Sequence, residues 1–199
     1  MGRHKKITDE EMLQGARDCF LKHGPQVSTA LIADCLGVSQ AAIFKRFPTK
    51  KHLVIAALAP PLHPVWLDRV DAGPDDRSIQ DQLREVAELL NQHTEKILPQ
   101  IHTLRAYGIE FKKVFENTDY PPPLQIVKAI SMWFERAQAK GLIRTFNPDT
   151  LALFLVGSIQ SRVLAQFIMQ RPNLFIDAQK HIDQLVDIIL YGVMPEGDH

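Results

Sequence analysis

Residues 28–53, STALIADCLGVSQAAIFKRFPTKKHL, constrain the fold of this chain more than any other stretch. Ser28 is a good N-cap for a short helix carrying Ala30, Ile32, Ala33 and Leu36. Gly37 ends that helix, because glycine takes a left-handed conformation without steric cost. Val38 plugs the turn, Ser39 caps a second helix running from Gln40 to about Phe47, and Pro48 stops it. Two helices joined by a short, glycine-containing turn make a helix-turn-helix. In that geometry the second helix can enter a DNA major groove while the first braces it across the backbone.

The segment resembles the DNA-binding domain of TetR/AcrR-type transcriptional repressors. The residues that carry the resemblance are Ile32-Ala33, Leu36-Gly37-Val38-Ser39, Ala42-Ile43-Phe44, Phe47-Pro48-Thr49-Lys50 and Leu53. It covers residues 7–55 closely, and beyond them only size and helix pattern are shared. The set is specific because the turn glycine, two caps and a downstream Phe-x-x-Lys must all fall in register. Three positions depart from the family pattern. Phe44 stands where a Tyr hydroxyl usually meets a phosphate, Arg46 where His or Tyr is usual, and Lys51 where Glu is usual. The first change removes a polar contact and the other two add positive charge, which redistributes backbone contacts without abolishing DNA binding.

Charge supports the same end of the chain. Residues 1–57 hold nine Lys or Arg against five Asp or Glu, and the remainder holds 14 against 18. A basic N-terminal module on an acidic body is the asymmetry expected when one end meets DNA. With 45% hydrophobic and 23% charged residues, the composition is that of a soluble globular protein. Apolar runs such as Leu151–Ile159 are too short to span a bilayer, and the basic N-terminus is followed by acidic residues, so a cytoplasmic protein without a membrane partner is expected. The two cysteines, Cys19 and Cys35, read as buried, reduced thiols.

Helical periodicity continues along the chain. Thr8 with Glu11 is a capping box for a first helix ending at His23-Gly24-Pro25. Lys50–Leu58 follows the helix-turn-helix, and Pro60, Pro61 and Pro64 then break the pattern. Further helices are expected from Ser78 to about His93, Glu95 to Ala106 with an interruption or kink at Pro99, Leu124 to Lys140, Asn147 to Gln170, and Asp177 to Tyr191. No strand alternation and no hairpin signal stands out. The chain therefore reads as all-α with about nine helices. The expected division is residues 1–50 as a helix-turn-helix DNA-binding domain and 51–199 as a helical ligand-binding and dimerisation domain.

The candidate DNA contacts fall in two groups. Gln40, Ala41 and Ala42 open the recognition helix, where Gln can bond adenine and Ala can meet a thymine methyl; Phe44, Lys45 and Arg46 lie one turn on. Ser28, Thr29, Ser39, Thr49 and Lys50 sit at helix N-termini, where free N–H groups and the helix dipole favour phosphate. Arg3, Lys5 and Lys6 form either a minor-groove arm or a solvated tail.

The resemblance also implies an effector pocket among the central helices, with His93, His102, Tyr107, Phe111, Trp133 and Phe134 as candidate lining. Such an aromatic stripe also fits an ordinary core. It implies a homodimer built on the last two helices, with Phe154, Gly157, Ser158, Ser161, Ala165, Ile182, Leu185, Val186 and Ile189 as candidate interface. Neither HExxH nor paired Cys/His spacing occurs, so neither a metal nor a cofactor is expected. Nucleophile-elbow, dinucleotide and P-loop motifs are missing as well, so the chain is not expected to be an enzyme. The partners expected are double-stranded DNA, a second copy and a hydrophobic small-molecule effector of a repressor. The alternative is a helical adaptor or small-molecule-binding protein without sequence-specific DNA binding.

Overall fold

Ten α-helices and no strands are found among the described residues of this computed structural model, which are 7–115, 121–171 and 177–193 without the Phe111 side chain. In chain order they are α1 (Asp9–His23), α2 (Thr29–Leu36), α3 (Gln40–Arg46), α4 (Lys50–Leu58), α5 (Leu67–Asp71), α6 (Ile79–Ala106), α7 (Phe111–Val114), α8 (Pro122–Ala139), α9 (Pro148–Met169) and α10 (Ala178–Tyr191). The capping box forms: the Glu11 N–H donates to Thr8 Oγ1 at 3.1 Å, and the Thr8 N–H donates to the Glu11 carboxylate at 2.8 Å.

The sequence suggests two helices, Ser78 to about His93 and Glu95 to Ala106, the second interrupted or kinked at Pro99; the chain instead runs from Ile79 to Ala106 as one helix of 28 residues. An interior proline removes one ladder hydrogen bond and costs about 3 kcal/mol. Buried Leu83, Val86, Ala87 and Leu90 before it, and Leu104 after it, offset that loss. Helices α5 and α7 are five and four residues long, too short to leave a periodic pattern in the sequence.

Contacts divide the chain into two compact units, Met1–Pro60 with Ile97–Asp119, and Pro61–Lys96 with Tyr120–His199. A single cut after residue 50 does not follow this grouping: α4 lies in the first unit, and α6 contributes to both. The first unit packs α1 against α2 and α4 around Met12, Ala16, Phe20, Ile32, Ile43, Leu53, Val54 and Leu58. Arg17 Nε donates to the Ala57 carbonyl at 2.7 Å, tying the end of α4 to α1. Gly15 permits a close approach of α1 to α2, because a Cβ there would lie 2.4 Å from Leu36 Cδ2.

The second unit is centred on α8 against α9, with α5 and α10 packed beside them. Its core includes Leu83, Leu90, Ile130, Trp133, Phe134, Leu155, Ile159 and Leu185. Arg162 on α9 is 5% exposed; its Nη2 donates to Glu95 at 3.0 Å and also to Asn91 Oδ1. By length and composition α9 could cross a membrane, with 22 residues and a mean hydropathy of 1.6 in its most apolar window.

Candidate nucleic-acid interface

The helix-turn-helix is fastened by local hydrogen bonds. Ser28 Oγ accepts from the Leu31 N–H, Ser39 Oγ from the Ala42 N–H and Thr49 Oγ1 from the His52 N–H, each at 3.2 Å. Gly37 takes φ 64° and ψ 32°, and its N–H bonds the Ala33 and Asp34 carbonyls. The Val38 N–H bonds the Ala33 carbonyl at 3.1 Å. These bonds satisfy the end of α2 and turn the chain into α3. Ile43 is fully buried and anchors α3 in the core of its unit. The opposite face is therefore outward: Gln40, Ala41, Phe44, Lys45 and Arg46 are exposed, and Ala42 is half-buried.

Not all of these groups are free. Thr29 Oγ1 donates to Gln40 Oε1 at 3.0 Å, which couples the start of the bracing helix to the start of the recognition helix. Arg46 Nη1 pairs with Asp9 at 2.9 Å, a contact between α3 and α1 that the sequence did not announce. Lys50 lies half-buried at the first turn of α4, with Nζ 5.4 Å from the centre of the Tyr107 ring. Burial holds its ammonium below the usual lysine range. A phosphate at the α4 N-terminus would meet the N–H groups behind Thr49 together with this ammonium. Arg3, Lys5 and Lys6 lie outside the described residues.

Residues 12–57 match the model of bacterial regulatory proteins of the tetR family. That match spans α2, α3 and most of α1 and α4, which is under a quarter of the chain. Solved structures similar to it share its fold over nearly their whole length. Among them, the FadR regulator from Bacillus subtilis in complex with stearoyl-CoA aligns with a TM-score of 0.66 at 13% identity, covering 94% of this chain and 100% of that one. The fatty acid degradation regulator FadR from Bacillus halodurans gives 0.64 at 13%, covering 95% and 98%. SmeT, the repressor of the Stenotrophomonas maltophilia multidrug efflux pump SmeDEF, gives 0.64 at 16%, covering 98% and 94%. At these identities the likeness is one of fold. No curated protein sequence matches.

The six effector-lining candidates do not fall in one unit. Trp133 and Phe134 are buried core residues of the second unit, edge to face with ring centres 5.4 Å apart. His93, in the same unit, is half-buried beside Trp66 at 5.5 Å, and burial, with Lys96 nearby, holds its imidazole below the usual range. His102 is exposed and Tyr107 supports Lys50, both in the first unit; the Phe111 side chain lies outside the described residues. A groove of about 280 Å³ in the second unit is lined by other residues, among them His63, Leu67, Gln125, Lys128 and Met132.

The interface candidates also separate. Phe154, Gly157 and Ser161 are exposed and Ala165 is half-buried, so α9 offers much of the expected surface. Leu164 and Ile168, at 44% and 62% exposure, extend the same helical face and were not picked from the sequence. The spacing 154, 157, 161, 164, 168 carries the signal that could have found them. Ser158 instead bonds within its own unit, its Oγ 3.0 Å from His181 Nε2. Ile182, Leu185 and Val186 are buried in the unit core and Ile189 is half-buried; Ile188 and Tyr191 are the exposed apolar residues of α10.

The cysteines differ from the sequence expectation. Cys19 is buried but Cys35 is exposed, and their Sγ atoms are 3.4 Å apart. Burial, then the contact with Cys35, pushes the Cys19 thiol up to about 11.

Proposed function

We propose that the protein is a cytoplasmic repressor that binds an inverted-repeat operator as a homodimer and is released by a small, largely hydrophobic ligand. The observation that carries the DNA-reading part is α3: it is anchored by buried Ile43 and turns Gln40, Ala41, Lys45 and Arg46 outward at the start and end of a capped helix. Gln40 and Ala41 read base edges, and Lys45, Arg46, Thr49 and Lys50 hold phosphates. The exposed apolar residues Phe154, Leu164 and Ile168 of α9, together with exposed Ile188 and Tyr191 of α10, support the dimer. A dimer spaces two recognition helices by about 34–36 Å or a multiple, which calls for a two-fold symmetric site. The same residues account for the apolar surplus of α9 without a membrane.

The ligand reading rests on the second unit. Trp66 and His93 form a half-buried aromatic pair, and the Trp66 indole N–H is buried with no partner among the described residues. A ligand with an apolar body and one hydrogen-bond acceptor suits such a pair. The stearoyl-CoA held by the Bacillus subtilis FadR makes fatty acids and their acyl-CoA thioesters the first probes.

A mobility-shift assay on DNA upstream of the protein's own coding sequence tests the reading, with these probes added to the complex. Retarded DNA released by one probe is the expected result. Coupling of about 1–3 kcal/mol corresponds to roughly 5- to 150-fold weaker operator binding, and operator must weaken the ligand by the same factor in calorimetry. No retardation at low salt, with the body still binding a probe, would favour a ligand-binding protein without DNA recognition.

A further inference from the structure

Cys19, His23 and Cys35 form a cluster that DNA reading does not use. Cys19 and His23 stand four residues apart on α1, hence on one face of it. Cys35 comes from the last turn of α2, brought near by the close approach at Gly15 and Leu36. The two sulfurs are 3.4 Å apart, and ligand atoms of all three side chains lie within 4.8 Å of one another. We propose that these three side chains bind a zinc ion that fastens α1 to α2 inside the DNA-binding unit.

Two thiolates and an imidazole are a donor set suited to zinc. With Zn–S of about 2.3 Å and Zn–N of about 2.0 Å, tetrahedral angles put the sulfurs about 3.8 Å apart and sulfur and nitrogen about 3.5 Å apart. The sulfurs are already within a few tenths of an ångström of that spacing. Rotation of the exposed His23 ring, in the last turn of α1, closes the rest. Two of the three ligands are exposed, so the fourth position opens to water. A disulfide would bring the sulfurs to about 2.05 Å and requires an oxidant, so the reduced chain is the form that takes the cation. Sequence spacing could not reveal the site, because the third ligand arrives from a different helix.

The test uses the full-length protein, reduced and handled without oxygen, titrated with Co(II) and then Zn(II). Saturation at one Co(II) per protomer is expected, with a thiolate-to-cobalt charge-transfer band and the intense visible bands of tetrahedral cobalt, both lost when Zn(II) displaces it. Cys35→Ser and His23→Gln change exposed side chains, so helix content by circular dichroism should hold. Each should weaken Co(II) binding by at least about ten-fold, and Cys35→Ser should diminish the charge-transfer band. Zn(II) should raise the thermal midpoint of the parent protein and not that of Cys35→Ser. The proposal is overturned by reduced protein that shows no saturable cobalt spectrum, by a spectrum unaltered in both variants, or by air oxidation to a Cys19–Cys35 disulfide in a protein that takes up no cation when reduced.

Discussion

The two units of this protein differ in the range of the contacts that shape their surfaces. In the first, the ends of the helices are set within a few residues, Thr8 with Glu11, Ser28 with Leu31, Ser39 with Ala42, Thr49 with His52, and Gly37 closing α2 on its own carbonyls, while Arg17 with Ala57 and Arg46 with Asp9 tie the helices together. In the second, polar contacts join distant parts of the chain. Arg162 meets Asn91, Arg84 pairs with Asp183 at 2.8 Å, and Gln80 Nε2 donates to Asp187 at 3.2 Å. The turn and caps of the surface proposed to read DNA are thus specified by local chemistry, and its anchor is Ile43 in the core. The ligand and partner surfaces depend on which helix faces happen to meet, and a change in either can leave the DNA-reading surface intact.

The largest expected effect tests the anchoring of α3. Ile43→Ala should destabilise the protein by about 2–5 kcal/mol in urea unfolding and lower operator affinity with it. A loss well under 1 kcal/mol would mean that α3 is held by its cap and turn, not by the core. Next comes the division of labour in α9 and α10. Leu164→Glu should convert dimer to monomer by sedimentation and reduce operator affinity, with helix content unchanged. Leu185→Ala should instead cost stability, about 2–5 kcal/mol, because Leu185 is 3% exposed in its own unit. Dissociation by Leu185→Ala without loss of stability would reverse that assignment.

Smaller effects sharpen the phosphate contact. Lys50→Ala should weaken binding to all sequences alike and lower the salt slope by about one unit per half-site. Tyr107→Ala should cost DNA affinity by about 0.5–1 kcal/mol through the lost ring under Lys50, whereas Tyr107→Phe should be neutral. The smallest effect concerns acid. Burial holds His93 and His181 below the usual imidazole range in the folded state. The unfolded chain then binds more protons as pH falls through about 6.5, so stability declines from there until the folded-state values are reached. Denaturant midpoints at pH 7.5 and 5.5 should show a decrease that precedes the titration of carboxylates such as Asp75 and Asp183, which their Arg partners hold below the usual range.

What the sequence made legible follows the same divide. Gly37, the caps and the Phe47–Lys50 motif located every helix of the helix-turn-helix, because a cap or a left-handed glycine declares itself within a turn. Pro99 does not end its helix, because a single missing hydrogen bond is a local cost, while the packing that outweighs it comes from elsewhere. On α10 the apolar positions were visible but their direction was not: Ile182, Leu185 and Val186 pack inside, leaving Ile188 and Tyr191 outside. Tyr107 looked like a pocket residue because nothing in its neighbourhood announces Lys50, 57 positions earlier in the chain. Cys35 looked buried because α2 is apolar on most sides.

In the proposed function α3 reads bases as one half of a symmetric pair, and selection of bound duplexes from random DNA tests this most directly. It should be run on the parent protein and on Gln40→Ala. The parent protein should yield an inverted repeat. Gln40→Ala should relax preference at one base pair, in both halves alike, and leave the other positions unchanged. A single unrepeated half-site, or an identical consensus for both proteins, would contradict it.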